Sequence, residues 1–476
     1  MLSENKRKIV IIGGGITGLT VAYYLQKEIH KQQLAIECTL LEASTRLGGK
    51  VQTYTENGFV VERGPDSFLA RKQSASRLVN EVGMSDALIS NRTGKSYVLV
   101  KDRLHLMPGG SIMGIPTKMT PFAFSGLFSP LGKLRAGADF ILPRSKETSD
   151  QSLGHFFRRR LGNEVVDHLI EPLLSGIYAG DIDELSLQAT FPQFQQVEEK
   201  YRSLILGMKR GIPKPVSSQK MQVGDKGMFL TVSTGLESLV HEVEKHLDQG
   251  TVQLQTSVEK IHKNDSHYTL MLNNGDELTA DAVIVTTPHR QTAKMFSKYQ
   301  FFESFKQMPS TSVATVAMAF PESAIKKDID GTGFVVSRKS EYTITACTWT
   351  HKKWSHTTPP GKVLIRCYVG RAGDESIVQR SDEDIKKVVL KDLNKILSLT
   401  DEPEFTVITR WQNAMPQYTV GHKQRLKEVH ENIERNLPGV FLSGASYEGL
   451  GLPDCIDQGE QSVRKVLKFI NKKVEA

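Results

Sequence analysis

Gly13-Gly14-Gly15-Ile16-Thr17-Gly18 follows directly on the β-branched run Lys8-Ile9-Val10-Ile11-Ile12. Glycines at these intervals are what a pyrophosphate requires of a backbone. Gly13 permits a tight turn, Gly15 lets the chain approach the phosphates, and Gly18 lets a helix lie close against a strand. A helix starting there offers free N–H groups and its positive dipole end to an anion. A second run, Ile36-Glu37-Cys38-Thr39-Leu40-Leu41, ends in Glu42, where a carboxylate can accept both hydroxyls of a ribose. Strand, glycines, helix, strand and terminal acid in this order predict a bound dinucleotide. Arg46-Leu47-Gly48-Gly49 adds a glycine-dependent cofactor loop. Arg71 and Lys72 follow the turn Arg63-Gly64-Pro65-Asp66-Ser67 and could pair with an anionic ligand, or form a solvated basic pair at a helix start.

The elements that must position these groups are legible as periodicities. Leu19, Ala22, Leu25 and Ile29 recur at helical spacing after the glycines. Phe59–Glu62 is expected as a third strand of the nucleotide core, and residues 76–88 as a helix. Residues 104–128 are apolar and aromatic but interrupted by proline and glycine; they read as a core-forming insertion, with an exposed membrane-docking patch as the alternative. Residues 152–178 read as helical. Within them, Arg158-Arg159-Arg160 reads as a solvated face. Residues 211–227 are polar, with prolines, serines and lysines, and form the best linker. Leu239, Val243 and Leu247 mark a helix, and residues 251–254 a strand. The runs 266–272 and 278–285 flank the turn Asn273-Asn274-Gly275-Asp276 as in a hairpin. Alternation in 311–320 and 363–369 predicts a second, antiparallel sheet. A strand at 439–444 and a helix from Asp457 through Ile470 follow.

The chain has 476 residues, enough for two or three domains. Its formal charge of +8, from 61 basic and 53 acidic residues, suits either a generally basic surface or attraction to an anionic small molecule or acidic membrane. The charge is dispersed and no nucleic-acid module is present, which argues against nucleic acid as a partner. The four cysteines, Cys38, Cys347, Cys367 and Cys455, show no zinc spacing or disulfide framework, so no metal is expected and a reducing compartment fits. The opening residues run straight into the first strand and no long apolar run occurs, so the expected location is the cytoplasm, with peripheral membrane contact through residues 107–128 as an addition. No nucleophile–base constellation stands out. His289 is set aside as a turn or surface histidine.

Taken together, the glycine run, Glu42-Ala43, Arg46-Leu47-Gly48-Gly49-Lys50 and a final strand–loop–helix with Gly444, Gly451 and Asp457 resemble the flavin monoamine oxidase/protoporphyrinogen oxidase superfamily. Three further segments narrow the likeness: Glu62-Arg63-Gly64-Pro65-Asp66-Ser67-Phe68, Glu171-Pro172-Leu173-Leu174-Ser175-Gly176-Ile177-Tyr178-Ala179-Gly180-Asp181, and Gly449-Leu450-Gly451-Leu452-Pro453-Asp454-Cys455-Ile456. Over nearly the whole chain these are similar to the HemY-type oxidases of Gram-positive bacteria.

The resemblance implies an α/β fold: a Rossmann-like FAD-binding domain, a mixed-sheet substrate domain and a mainly helical insertion. It divides the chain into FAD-binding segments 1–84, 225–300 and 406–476, a helical, substrate- or membrane-facing segment 85–224, and a substrate sheet 301–405. It puts the pyrophosphate at Gly13, Gly14, Gly15, Ile16, Thr17 and Gly18, and the adenosine ribose at Glu42, with Ala43, Arg46, Gly49 and Lys50 in the surrounding shell. Gly64, Pro65, Asp66 and Ser67 are implied to approach the flavin, Val258 the adenine, and Trp411, Gly444, Leu450, Gly451, Leu452 and Asp457 the flavin side near the last helix. Val258 and Trp411 would otherwise read as core.

The implied reaction is oxidation of coproporphyrinogen III to coproporphyrin III, with molecular oxygen as acceptor, hydrogen peroxide as by-product and a coproporphyrin ferrochelatase downstream. Flavin can accept hydride equivalents, and a pyrrole proton can leave to water, so no protein base is required. Lys72 would meet a propionate, Ile177 would press on the macrocycle, and Tyr368 would face the substrate side. Protoporphyrinogen IX oxidation, an amine or carotenoid oxidoreductase on the same scaffold, and a nonenzymatic flavin- or porphyrin-binding protein are the alternatives.

Overall fold

The computed structural model describes residues 6–92, 94–147, 149–211 and 227–475, with side chains described as far as 471. Most of the polar stretch read as a linker lies outside the described residues. Arg7–Ile12 is the middle strand of a five-stranded parallel sheet, flanked by Ile36–Leu41 and then Val252–Gln253 on one side, and by Ala282–Val285 and then Val440–Leu442 on the other. From Ile9 to Ile12 its residues are apolar on both faces because both are covered. Helices Ile16–Gln32 and Leu452–Glu475 pack together over one face, burying Leu19, Ala22, Leu25, Val463 and Val466. The opposite face carries Val10, Ile12, Val283 and Val285 against a cluster that includes Phe296, Phe302 and Tyr447. The glycine run sits at the carboxyl end of the middle strand, where the crevice of an open parallel sheet receives ligands.

Several sequence expectations change here. Phe59–Glu62 pairs antiparallel with Thr53–Glu56 in a sheet of its own. The cause is the turn Asn57-Gly58, whose φ values of 47° and 82° make the tight reversal that joins two antiparallel strands. The helix expected over 76–88 is Gln73–Glu81. Gly83, at φ 81°, follows it, and Leu88–Ser90 leaves to pair with Phe229–Val232. The hairpin around Asn273 exists, but its second run divides at Asp281: Glu277–Ala280 pairs with Tyr268–Leu272, while Ala282–Val285 enters the parallel sheet. The closing helix starts at Leu452, five residues before Asp457, because Pro453 is tolerated in a first turn where the missing N–H has no partner to lose.

The second sheet has seven strands, in the order Phe405–Pro416, Ser310–Pro321, Lys362–Val369, Ile344–Trp349, Gly333–Val336, Ser96–Val100 and Arg103–Leu106. It is antiparallel except for Gly333–Val336 against Ser96–Val100. Two of its strands therefore come from segment 85–224, and Phe405–Pro416 crosses the expected boundary at 405/406. That strand stays with the sheet because it pairs along most of its length with Ser310–Pro321.

The helical region packs Phe156, Phe157, Leu161, Leu169, Phe194 and Tyr418 into a separate core. Residues 152–178 break once, at Gly162 with φ 85°, and continue through a widened turn at Val166–Ile170 into Glu171–Tyr178. Phe122, Leu127 and Phe128 are buried, whereas Phe124 is 86% exposed, so the apolar stretch is core in part and surface in part. Leu131 and Leu134, on one face of Pro130–Gly137, and Ile141 are exposed as well. Among the described residues no helix is long and apolar enough to cross a membrane.

Candidate active site

The turn after the first strand is built around steric limits. Gly13 has φ 104°, and its N–H donates to Leu41 O at 2.8 Å. A Cβ at Gly18 would stand 1.9 Å from Gly13 O, so any side chain there drives the helix off the turn. A Cβ at Gly14 would meet Leu47 Cδ2 at 2.5 Å. Gly15 differs: nothing lies within 4 Å of its Cβ position, and it stands at the amino end of Ile16–Gln32 with no side-chain cap. Helix N–H groups that face an open space form an anion cradle, and a dinucleotide pyrophosphate fits it.

Glu42 Oε2 accepts the Gly14 N–H at 2.6 Å and Oε1 the Ser44 N–H at 2.8 Å. The carboxylate thus sits beside the cradle, fixed by two backbone donors with lone pairs left for a ribose. The Arg46–Lys50 loop closes over the same turn. Gly48 N donates to Gly14 O at 2.8 Å, and a Cβ on Gly49 would lie 3.2 Å from Gly15 Cα. Arg46 braces this loop from within, donating to the carbonyls of Leu47, Gly49 and Val51 and pairing with Glu237 at 3.4 Å. Ala43 is exposed on the loop's rim. Lys50 turns inward, and its ammonium donates to Ala414 O. Burial holds it below the usual lysine value.

The same loop meets the turn at 64–67. A Cβ on Gly64 would stand 1.8 Å from Lys50 O, so only glycine fits. Trp411 Nε1 donates to Arg63 O at 3.0 Å, and Arg366 donates to Gly64 O. Asp66 pairs with Lys353 at 2.8 Å and accepts from Ser67 Oγ at 2.7 Å. Burial pushes its carboxyl up, but Lys353 and Arg366 outweigh burial and hold it well below the usual range. Arg366 also lies over the Tyr368 ring, 4.9 Å from its centre. Tyr368 is half-buried, and burial raises its phenol. Glu62, before the turn, accepts from Leu236 N and Thr53 Oγ1 at 2.7 and 3.0 Å, and burial pushes it up to about 7.

Gly444 (φ 115°), whose Cβ position lies 3.4 Å from Thr17 Oγ1, donates to Gln458 Oε1 at 2.9 Å, and Tyr418 Oη accepts from Gly449 N at the same distance while donating to Ala445 O. Gly451 is exposed, and Leu452 joins Ile16, Val51, Phe68 and Ile456 around a small apolar cavity. Lys72 forms an ion pair with Asp454 in the closing helix's first turn. Asp457 lies one turn further on. Ile177 is 51% exposed, so its side chain is open to a ligand. Val258 stands apart in the strand Val258–Lys263, which pairs antiparallel with Tyr268–Leu272; it faces Leu272 and packs in the cluster that contains Leu41.

Sequence reasoning missed Lys353, Arg366, Tyr418, Gln458 and Asp454. The first three act across sequence separations that carry no local signal. Asp454 and Gln458 lie in a quoted motif or next to it.

His289 is neither a turn nor a surface residue. It is 2% exposed; its Nε2–H donates to Met308 O at 3.1 Å and its Nδ1 accepts from Ser446 Oγ at 3.2 Å. Burial pushes it down to about 4, so it is neutral in the folded protein. Between about pH 6.5 and 4 the unfolded chain binds a proton that the folded chain refuses, so this contribution is intact above the unfolded pKa and lost as pH falls. His289→Asn should therefore lessen acid sensitivity. The parent should lose about 2 kcal/mol more than the variant between pH 7 and 4.5 in urea titrations. Equal losses would mean that the imidazole titrates normally.

The pattern of flavin containing amine oxidoreductases matches residues 16–467. A coproporphyrinogen III oxidase of Bacillus subtilis is 56% identical over 469 residues, spanning 98% of this chain and 100% of that protein. The chain belongs to the HemY-type porphyrinogen oxidases of this flavin family. A second coproporphyrinogen III oxidase, from Staphylococcus aureus, is 44% identical over 97% of this chain and 99% of its own. A crystal structure from Exiguobacterium sp. 255-15, described as a candidate protoporphyrinogen oxidase, superposes with a TM-score of 0.86 at 39% identity, covering 97% of this chain and 98% of that one. The Rossmann-like region, mixed sheet and helical insertion are the architecture of that family.

Proposed function

We propose that this chain oxidises coproporphyrinogen III to coproporphyrin III, with FAD as cofactor and molecular oxygen as terminal acceptor. The observation that carries the reading is the 56% identity, end to end, to a coproporphyrinogen III oxidase. FAD would lie with its pyrophosphate at Gly13 to Gly15 and Gly18, its ribose on Glu42 and its adenine toward Val258. The loop of Arg46, Gly49 and Lys50 would enclose it, and the turn from Gly64 to Ser67 with Trp411, Leu450, Gly451 and Leu452 would border the isoalloxazine. When bound, flavin supplies the acceptor for the hydride equivalents that leave the macrocycle. The chain's own residues orient and shield the substrate. Lys72 offers an ammonium to a propionate, Ile177 an exposed apolar surface to a pyrrole, and Tyr368, with its ring under Arg366, a flat wall. Pyrrole protons leave to water. The product would pass to a coproporphyrin ferrochelatase.

Six electrons leave the ring and each oxygen takes two, so complete conversion should consume three oxygens and release three peroxides. Coproporphyrin fluorescence and peroxide release from FAD-loaded protein check this, and a much higher kcat/KM for protoporphyrinogen IX would overturn the substrate. In the same assay Lys72→Ala should keep its flavin but lose roughly tenfold to a hundredfold in kcat/KM. Lys72→Arg should retain part, because the charge survives while the reach changes. An alanine variant within twofold of the parent removes Lys72 from the substrate site.

A further inference from the structure

None of the roles above uses Asp454. It stands in the first turn of the closing helix, within Gly449-Leu450-Gly451-Leu452-Pro453-Asp454, and its carboxylate holds the Lys72 ammonium. The two side chains keep 34% and 29% of their exposure, so both charges remain within reach of a dissolved anion. The carboxylate is folded back over the segment before it. A Cβ on Gly451 would stand 2.8 Å from Asp454 Oδ2, and one on Gly449 2.9 Å from Asp454 Cβ. Glycine at both positions leaves the room it occupies. Ser74 Oγ donates to Pro453 O at 3.0 Å, which ties the helix following Lys72 to the start of the closing helix. The Asp454 charge also adds to burial in raising Tyr178, the neighbour of Ile177, as well as Tyr418 and Cys455. Asp454 is therefore a carboxylate held against Lys72, the residue assigned to a substrate propionate.

We propose that Asp454 is an internal competitor for Lys72, contending with a substrate carboxylate for the same ammonium. The inference rests on the reading of Lys72 as a propionate partner. Two carboxylates gathered at one ammonium repel each other, and a half-exposed ion pair is weak enough to exchange. The oxidised product carries the same propionates as the substrate, so oxidation does nothing to loosen it from Lys72. A tethered carboxylate that takes the ammonium back does. Asp454 thus lowers affinity for both porphyrinogen and porphyrin, and speeds release of the product.

Fluorescence titration of FAD-loaded protein with coproporphyrin III, together with steady-state turnover, tests this. Asp454→Asn should tighten porphyrin binding by roughly threefold to tenfold and lower kcat, whereas Asp454→Glu should stay near the parent. Asp454→Ser, which keeps a residue type suited to a helix start, carries the same expectation should the asparagine variant fold poorly. A merely structural aspartate would shift the melting midpoint without tightening porphyrin. If Lys72→Ala binds porphyrin as well as the parent, the reading of Lys72 fails. If Lys72→Ala weakens binding while neither neutral variant at 454 tightens it, the competitor role fails and Lys72 stands.

Discussion

Gly15→Ala should yield a folded protein that no longer holds its flavin, and Gly18→Ala a protein damaged before any flavin is offered. The two glycines lie three residues apart, yet they face opposite physical limits. At Gly15 the backbone is extended, with φ −69° and ψ 178°, which any residue adopts, and the Cβ would enter open space. The folded chain tolerates the methyl, but a pyrophosphate resting on the helix N–H groups does not. Loss of even two charge-assisted hydrogen bonds, at about 1.5–3 kcal/mol each, lowers flavin affinity by at least a hundredfold. At Gly18 the added carbon would lie 1.9 Å from Gly13 O, an atom fixed by the turn. Helix and strand must part, at a cost of about 1–3 kcal/mol or more with no ligand present. Apoprotein melting and flavin titration separate the two. Gly15→Ala should melt with the parent and fail to bind, and Gly18→Ala should melt earlier. A Gly15→Ala variant that binds flavin normally would move the phosphates away from this cradle.

That contrast also marks how far the sequence could be read. The glycine run, Glu42 and the flanking strands are local chemistry, since each residue's purpose is set by neighbours a few positions away. The parallel sheet and the alternating strands of the second sheet were legible for the same reason. Phe59–Glu62 reads as a strand of the nucleotide core although Asn57-Gly58 stands directly before it, because three apolar residues in a row fit a buried parallel strand as well as a hairpin arm. Ile177 carries no such local signal: an isoleucine in an apolar helix fits core as well as surface, and only the packing of the insertion leaves it exposed. At the candidate site, the turn at Gly64 is visible, but Arg366 on the second sheet and Lys353 in the short helix Thr350–Lys353, which fix the Gly64 carbonyl and Asp66, arrive from about 300 positions away. No spacing rule announces a partner at such a distance.

The basic triplet of the helical insertion gives the largest effect on stability. The sequence places Arg160 with Arg158 and Arg159 on a solvated face, yet it is fully buried. It pairs with Asp139, also fully buried, and with Glu198 at 3.3 Å, and it donates to the carbonyls of Asp139 and Pro143 at 2.8 and 3.0 Å. Asp139 further accepts from Ser203 Oγ and from Ile205 N, so one carboxylate gathers three separate segments of the insertion. Arg160→Ala removes the cation and leaves two carboxylates in a low-dielectric core, with Arg159 still reaching Glu198 but no cation left at Asp139. The expected loss is about 3–5 kcal/mol, because the cost is that of uncompensated buried charge rather than of the ion pair itself. Arg158 provides the contrast. Its side chain is 29% exposed, and of its partners Asp183 is 56% exposed and Asp167 20%, so Arg158→Ala should cost about 1 kcal/mol. Urea unfolding followed by intrinsic fluorescence measures both variants side by side. If Arg160→Ala unfolds within about 1 kcal/mol of Arg158→Ala, the buried triad contributes no more than a surface pair.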